Sequence, residues 1–247
     1  VLEKIEGFIM KTQDYGESHK IVTIFSKKLG KFSAIARGAK KPKSRMAAST
    51  QPFVYGQYLI YVSTGLSSIQ QGEILDSFRE IREDIFKTAY TAFIMELTDK
   101  LVDKQKPDAF LFEQLRQTID WINEHDQADI PIMMYEMKLF RTGGFAPVVN
   151  QCVNCGSTSA PFHFSIVEGG LLCNSCKMKD PDSIPLPSAV PRLLYLFANV
   201  SLDQVSSISV KEENIQLIRQ LLDAYYDRYG GYFLKTKKVL KQLDVLK

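Results

Sequence analysis

The sequence predicts an α+β protein of several domains: an N-terminal five-stranded barrel, then an all-α bundle interrupted once by a four-cysteine ribbon. Three observations predict this. Short β-branched and aromatic segments follow one another over the first part of the chain. From Ser77 the spacing of apolar residues lengthens to three and four. Two Cys-x-x-Cys pairs then break into the helical stretch. The expected divisions are 1–78 for the barrel, 79–150 and 179–247 for the two parts of the helical domain, and 151–178 for the cysteine module.

The barrel is read from five segments: Leu2–Thr12, Lys20–Phe25, Lys31–Ala36, Tyr55–Val62 and Ser68–Ile74. Turn signals separate them at Asp14-Tyr15-Gly16, Lys28-Leu29-Gly30 and Ser63-Thr64-Gly65. Five short strands in so few residues suggest a small closed barrel, with the OB-fold as the leading candidate. The third and fourth strands are joined by a long connection from Arg37 to Phe53, and long connections carry function more often than cores do.

That connection holds the most unusual feature of the chain. Between Glu17 and Glu73 there is no acidic residue, yet nine basic ones fall there: Lys20, Lys27, Lys28, Lys31, Arg37, Lys40, Lys41, Lys43 and Arg45. The formal net charge of +3 hides this asymmetry: residues 1–50 carry 11 Lys/Arg against 4 Asp/Glu, and the remainder 20 against 24. One-sign fields repel themselves, so a long acid-free span points to a polyanionic partner. The candidate phosphate contacts are Arg37, Lys40, Lys41, Lys43 and Arg45, with Lys31 on the preceding strand. A merely solvated loop is the competing reading; phosphate contact is preferred because no acid lies nearby in sequence. Barrels that bind single strands add aromatic platforms to a basic path, and Phe32, Phe53, Tyr55, Tyr58 and Tyr61 are available, although strand aromatics more often pack.

The helical stretch opens at Ser77-x-x-Glu80, a capping box, and runs to about Lys104 as one amphipathic helix. Asp108 caps a second helix, and a third runs from around Pro131 to Gly143-Gly144. Met133, Met134 and Met137 read as core filler, with an adaptable partner groove as the alternative. Asp180–Pro187 is a loop, Ser188–Asn199 a helix, Ser209-x-x-Glu212 the start of another, and Tyr232–Leu246 a last helical segment. Its Lys235, Lys237, Lys238 and Lys241 either extend the basic surface or form a solvated face.

Cys152-Val-Asn-Cys155 and Cys173-Asn-Ser-Cys176, 17 residues apart, have the spacing of a zinc ribbon. Two tight knuckles would direct Cys152, Cys155, Cys173 and Cys176 at one Zn²⁺, with Phe162–Ile166 and Leu171-Leu172 forming the hairpin between them. Four thiolates leave no position for water, so the expected ion is structural. His163 is a possible substitute ligand but reads better as a packed strand residue. No phosphate-binding Gly-x-x-x-x-Gly-Lys-Ser/Thr, His-Glu-x-x-His or Gly-x-Ser-x-Gly occurs, and the three histidines are dispersed. Nothing argues for an enzyme. No apolar run reaches 18 residues and the start of the chain has no apolar signal core, so a cytoplasmic protein without a membrane partner is expected.

Glu6-Gly7-Phe8-Ile9, Asp14-Tyr15-Gly16-Glu17 before Ile21-Val22-Thr23, Leu29-Gly30-Lys31 before Ala36-Arg37-Gly38-Ala39-Lys40-Lys41, and Phe140 through Gly144-Phe145-Ala146-Pro147 together carry a resemblance. Over essentially its whole length the chain resembles the bacterial RecO family of recombination mediators, most closely the zinc-containing members of Gram-positive type. The resemblance implies an OB-fold barrel that binds single- and double-stranded DNA, followed by a helical domain with a zinc module. It implies strand annealing without nucleotide hydrolysis, and partnership with RecR, with single-stranded-DNA-binding protein (SSB) and, functionally, with RecA in the RecFOR pathway of DNA repair and recombination. It also implies nucleoid association when DNA is bound. By motif position Arg37, Lys40 and Lys41 inherit DNA contact, followed by Lys43 and Arg45. The residues alone leave two other readings open: an RNA-binding accessory factor of translation or transcription, and a scaffold whose positive loop docks an acidic segment.

Overall fold

The computed structural model describes residues 1–41, 43–205 and 209–244. They form two compact units, Val1–Asp126 with Leu234–Lys247, and Gln127–Phe233.

In the first unit five strands close into a barrel: β1 (Leu2–Tyr15), β2 (His19–Ser26), β3 (Gly30–Ala36), β4 (Tyr55–Tyr61) and β5 (Ser67–Asp76). Their order is β1-β2-β3-β5-β4, and β4 pairs back onto β1. All pairings are antiparallel except β3 with β5, the order expected of an OB-type barrel. Alternation turns Ile5, Ile9, Ile24, Tyr58, Ile60 and Ile69 inward as the core. The turn glycine Gly30 has φ +68°, and a Cβ there would lie 2.4 Å from the Lys106 carbonyl oxygen, so only glycine fits.

The last barrel strand ends at Asp76, and the compact unit continues beyond it. Phe8 and Phe25 point out of the barrel and are nonetheless fully buried. Phe8 stacks on Tyr55 (4.9 Å) and Phe78 (6.1 Å), and both Phe8 and Phe25 meet Phe112 (5.6 and 5.7 Å) on helix α4 (Ala109–Glu124). Aromatic burial of this size welds the helices to the barrel. The unbroken apolar run Phe8-Ile9-Met10 is its sequence trace, since a strand covered on both faces loses its alternation.

The long helix expected from Ser77 is two. The short α1 (Arg45–Ser49) precedes them in the connection read as a loop, and then come α2 (Arg79–Glu83) and α3 (Ile85–Leu101). The break falls at Asp84, whose backbone is extended (φ −117°, ψ 127°) and whose carboxylate accepts from the Lys87 N–H at 2.8 Å. A side chain that caps a new helix competes with continuing the old one. Ser77 makes no capping bond, and Phe78 takes the left-handed conformation in its place. Asp108 caps α4 as expected, accepting from Leu111 N–H at 2.8 Å.

The second unit contains α5 (Asp129–Thr142), a small sheet of β6 (Phe162–Ser165), β7 (Gly170–Cys173) and β8 (Ile184–Pro185), then α6 (Val190–Asn199) and α7 (Glu212–Tyr229). The strand β8 lies where a loop was expected, pairing with β6 at His163 and Phe164. The last helix, α8 (Lys235–Asp244), belongs to the first unit and packs on α3. Glu96 of α3 caps it, accepting from the N–H groups of Lys235 (3.2 Å) and Thr236 (2.9 Å). The methionines of α5 are buried, so the core reading of Met133, Met134 and Met137 holds.

Two buried charges organise the second unit. Glu136 is 2% exposed and pairs with the Arg219 guanidinium. Truncating one partner of such a pair strands the other, so Arg219→Ala should destabilise by about 3–5 kcal/mol in denaturant unfolding. Lys138, 4% exposed, donates to the carbonyls of Met134 (3.2 Å), Phe197 (3.0 Å) and Val200 (2.8 Å). The last two cap the C-terminal end of α6, where a cation is favoured. Burial, with Arg141 nearby, pushes its pKa down from 10.5 to about 8. The folded value lies below the unfolded one, so the fold is penalised for the charged form below pH 8. That penalty is relieved as pH rises through 10.5. Lys138 should therefore contribute roughly 3 kcal/mol of rising stability across that window. Denaturant titrations of Lys138→Met should lack this rise when compared with the wild type.

Candidate nucleic-acid interface and metal centre

The basic loop is rooted before it projects. After β3, Ala39 drops into the barrel core at 2% exposure. The Gly38 N–H donates to His19 Nδ1 at 3.0 Å, which requires that nitrogen to be the unprotonated one, and the Lys40 N–H donates to the Ser18 carbonyl at 3.0 Å. Both acceptors sit at the start of β2, so the loop root is tied to the β1–β2 turn. Beyond it, α1 is held down by Tyr58, whose hydroxyl donates to the Ser49 carbonyl at 2.7 Å. Gly72 makes room for that helix, since a Cβ there would lie 2.6 Å from Ser49 Oγ. With the small residues turned inward, Arg37, Lys40, Lys41, Lys43 and Arg45 are all exposed.

Tertiary structure divides the nine cations. Lys27 pairs with Glu113 (2.8 Å), Lys28 with Glu3, and Lys40 with Asp14 (2.9 Å). Lys31, the strand member of the expected set, is turned inward. It is 7% exposed, its ammonium donates to the Asp99 carbonyl and lies 3.6 Å from the Asp99 carboxylate, and burial lowers its pKa. Its side chain braces β3 against α3. Arg37, Lys41, Lys43 and Arg45, together with Lys20, have no ion-pair partner among the described residues. The expectation that no acid neutralises this loop thus fails only at Lys40, whose partner comes from the end of β1. That partner is 67% exposed, and so open a pair is worth little.

Most of the candidate platforms are committed elsewhere. Phe32 and Tyr58 belong to the barrel core. Tyr55 stacks on Phe8 and donates to Glu6 at 2.6 Å. Phe53 is half-buried at φ 73°. Tyr61 alone of the five is exposed, at 54%. Of the C-terminal lysines, Lys237 is buried at 9% exposure. Sequence reasoning missed His19 and Ala39 as anchors of the basic loop; no local pattern marks either.

In the second unit the Sγ atoms of Cys152, Cys155, Cys173 and Cys176 all lie within 4.8 Å of one another. Cys155 and Cys173 are 3.7 Å apart. A tetrahedral ion with metal–sulfur bonds of about 2.3 Å has sulfur–sulfur edges of about 3.8 Å, so the cluster fits a four-sulfur metal site. Hydrogen bonds tighten the knuckles: Gly156 N–H to the Cys152 carbonyl (2.8 Å), and Cys176 N–H to the Cys173 carbonyl (2.9 Å). Asn154 Nδ2 donates to Cys176 Sγ at 3.2 Å. Against its burial, backbone groups of Cys173, Cys155 and Asn154 draw the Cys152 thiol down to about 6. The Ser157 backbone lowers the Cys155 thiol, but the sulfurs of Cys176, Cys152 and Cys173 together push it up to about 12. Sulfurs this close cannot all ionise without a cation among them. His163 lies outside the cluster.

The ribbon is seated on α7. Tyr229 donates to the carbonyls of Ile166 (2.9 Å) and Val167 (2.8 Å), and the Phe164 ring meets Tyr225 edge-on at 6.0 Å. Gly170 lets the chain pass Val148, where a Cβ would lie 2.3 Å from the carbonyl oxygen.

Residues 2–78 match the family described as Recombination protein O N terminal, and residues 82–238 match Recombination protein O C terminal. Both place the molecule among the DNA repair and recombination proteins of the Recombination protein O family. The DNA repair protein RecO of Oceanobacillus iheyensis is 58% identical over 244 residues, covering 99% of this chain and 95% of the relative. The RecO proteins of Bacillus subtilis (41% over 247 residues, 100% and 97%) and Halalkalibacterium halodurans (42% over 244 residues, 99% and 96%) are also similar. The chain belongs to the RecO family. Among the described residues no helix is long and apolar enough to cross a membrane.

Proposed function

We propose that this chain is a DNA repair mediator that binds single- and double-stranded DNA through Arg37, Lys40, Lys41, Lys43 and Arg45. It anneals complementary strands and, with RecR, helps RecA load onto SSB-coated single strands in the cytoplasm. The observation that carries the DNA-binding reading is a fixed loop root that presents exposed cations, most of them without an acidic partner among the described residues. Such cations give affinity through counterion release, which is indifferent to sequence. Screening strand–strand repulsion while leaving base edges accessible is what annealing requires, and it needs no reacting side chain. An SSB contact would localise the mediator on coated strands by raising its effective concentration there.

Cys152, Cys155, Cys173 and Cys176 would hold one Zn²⁺ in a closed shell, bracing the ribbon and leaving no position for a reacting water. The deciding experiment follows annealing of complementary strands precoated with SSB. The protein should accelerate it without nucleotide, and structured RNA should compete poorly. An annealing rate unchanged by the protein would reject the mediator reading.

A further inference from the structure

The pairing registers place Ile35, Ser68, Tyr61 and Leu2 in one row across β3, β5, β4 and β1. Paired residues share a face, and their neighbours Ala36, Ile69 and Ile60 point into the core, so this row faces outward. Ile35 and Ser68 are half-buried, while Tyr61 and Leu2 are 54% and 55% exposed. The Tyr61 ring has no aromatic partner, and its hydroxyl no hydrogen bond, among the described residues. No carboxylate stands in the row. Arg37 lies two residues beyond Ile35, just past the end of β3, where the basic loop begins. Tyr61 is therefore about 10 Å, two inter-strand spacings, from the strand that delivers the loop's first unpaired cation.

We propose that Tyr61 is a base-stacking platform for single-stranded nucleic acid, continuing across β5 and β4 the path that the loop cations begin. The idea rests on the phosphate-binding reading of that loop and adds to it a means of preferring single strands over duplex. An aromatic ring flanked by short and aliphatic side chains offers its face to an unpaired base. In a duplex the base faces are already stacked and only the charge contacts remain. An apolar patch meant for a protein would not need a cation at one end, whereas a polynucleotide needs both elements.

The test compares Tyr61→Ala, Tyr61→Phe and wild type by fluorescence anisotropy, using an oligo(dT) strand and a duplex of equal length. Tyr61→Ala should weaken single-strand binding about tenfold, as loss of one stacked base does, with the salt slope and duplex affinity unchanged. Tyr61→Phe should bind as wild type does. In a Trp121→Phe background, the indole introduced by Tyr61→Trp should be quenched by oligo(dT). Single-strand affinity of Tyr61→Ala within twofold of wild type, equal losses on strand and duplex, or an unquenched indole would each overturn the proposal. If Tyr61→Ala is silent while alanine substitution of the loop cations weakens binding, only the platform fails. If the loop substitutions are silent as well, the phosphate-binding reading falls first.

Discussion

Cys152→Ser should release the metal from the four-sulfur cluster and unfold the ribbon between Cys152 and Cys176, leaving DNA affinity of the barrel nearly intact. The expected loss is large because the metal joins the two knuckles that close a very small sheet. Its sheet consists of strands of four, four and two residues. Beyond these it is anchored by Tyr229, Tyr225 and the buried Ser165–Asp180 hydrogen bond of 2.6 Å. Structural zinc in small modules supplies on the order of 10 kcal/mol. Metal analysis should find one ion per wild-type chain and none in the variant, and limited proteolysis should then cut within residues 152–176. Two disulfides in place of a metal in the wild type would contradict this account.

Replacing Arg37, Lys41, Lys43 and Arg45 together with alanine should weaken single-strand binding by about 10²-fold at 0.15 M salt. Each phosphate contact on a single strand contributes through the release of about 0.7 counterion, near fourfold at that salt, and four such contacts multiply. Stability should hardly change, since all four side chains are exposed and have no ion pair among the described residues. Lys40→Ala alone should have a smaller effect, because Asp14 competes with phosphate for its ammonium. Lys31→Ala should do the reverse, costing stability through its lost bonds to Asp99 and leaving the charge-dependent part of DNA binding in place. Equilibrium titrations and thermal melts of the same variants separate these outcomes.

The contrast between Lys31 and Arg37 shows where the sequence is legible. The barrel could be read because its strands end at turn residues such as Gly16 and Gly30, both at positive φ, and because alternation marks the inward face. The four cysteines could be read because metal geometry constrains spacing directly. Which lysine meets an acid could not, since Asp99 is 68 residues from Lys31 and Glu113 is 86 from Lys27. An acid-free stretch of sequence is not an acid-free surface. The break at Asp84 was hidden for a local reason: the apolar spacing runs straight through a residue whose carboxylate starts a new helix. The short α1 was hidden because its support, the Tyr58 hydroxyl and the space above Gly72, comes from other strands.

The most direct test of the central claim is the dependence of single-strand affinity on salt, measured for the wild type and for the variant lacking Arg37, Lys41, Lys43 and Arg45. With about five phosphates contacted, the wild-type log–log slope should be roughly −3.5, falling to roughly −0.7 when only Lys40 remains. A wild-type slope near zero, or one unchanged in the variant, would contradict the claim that these side chains lie along a phosphate backbone.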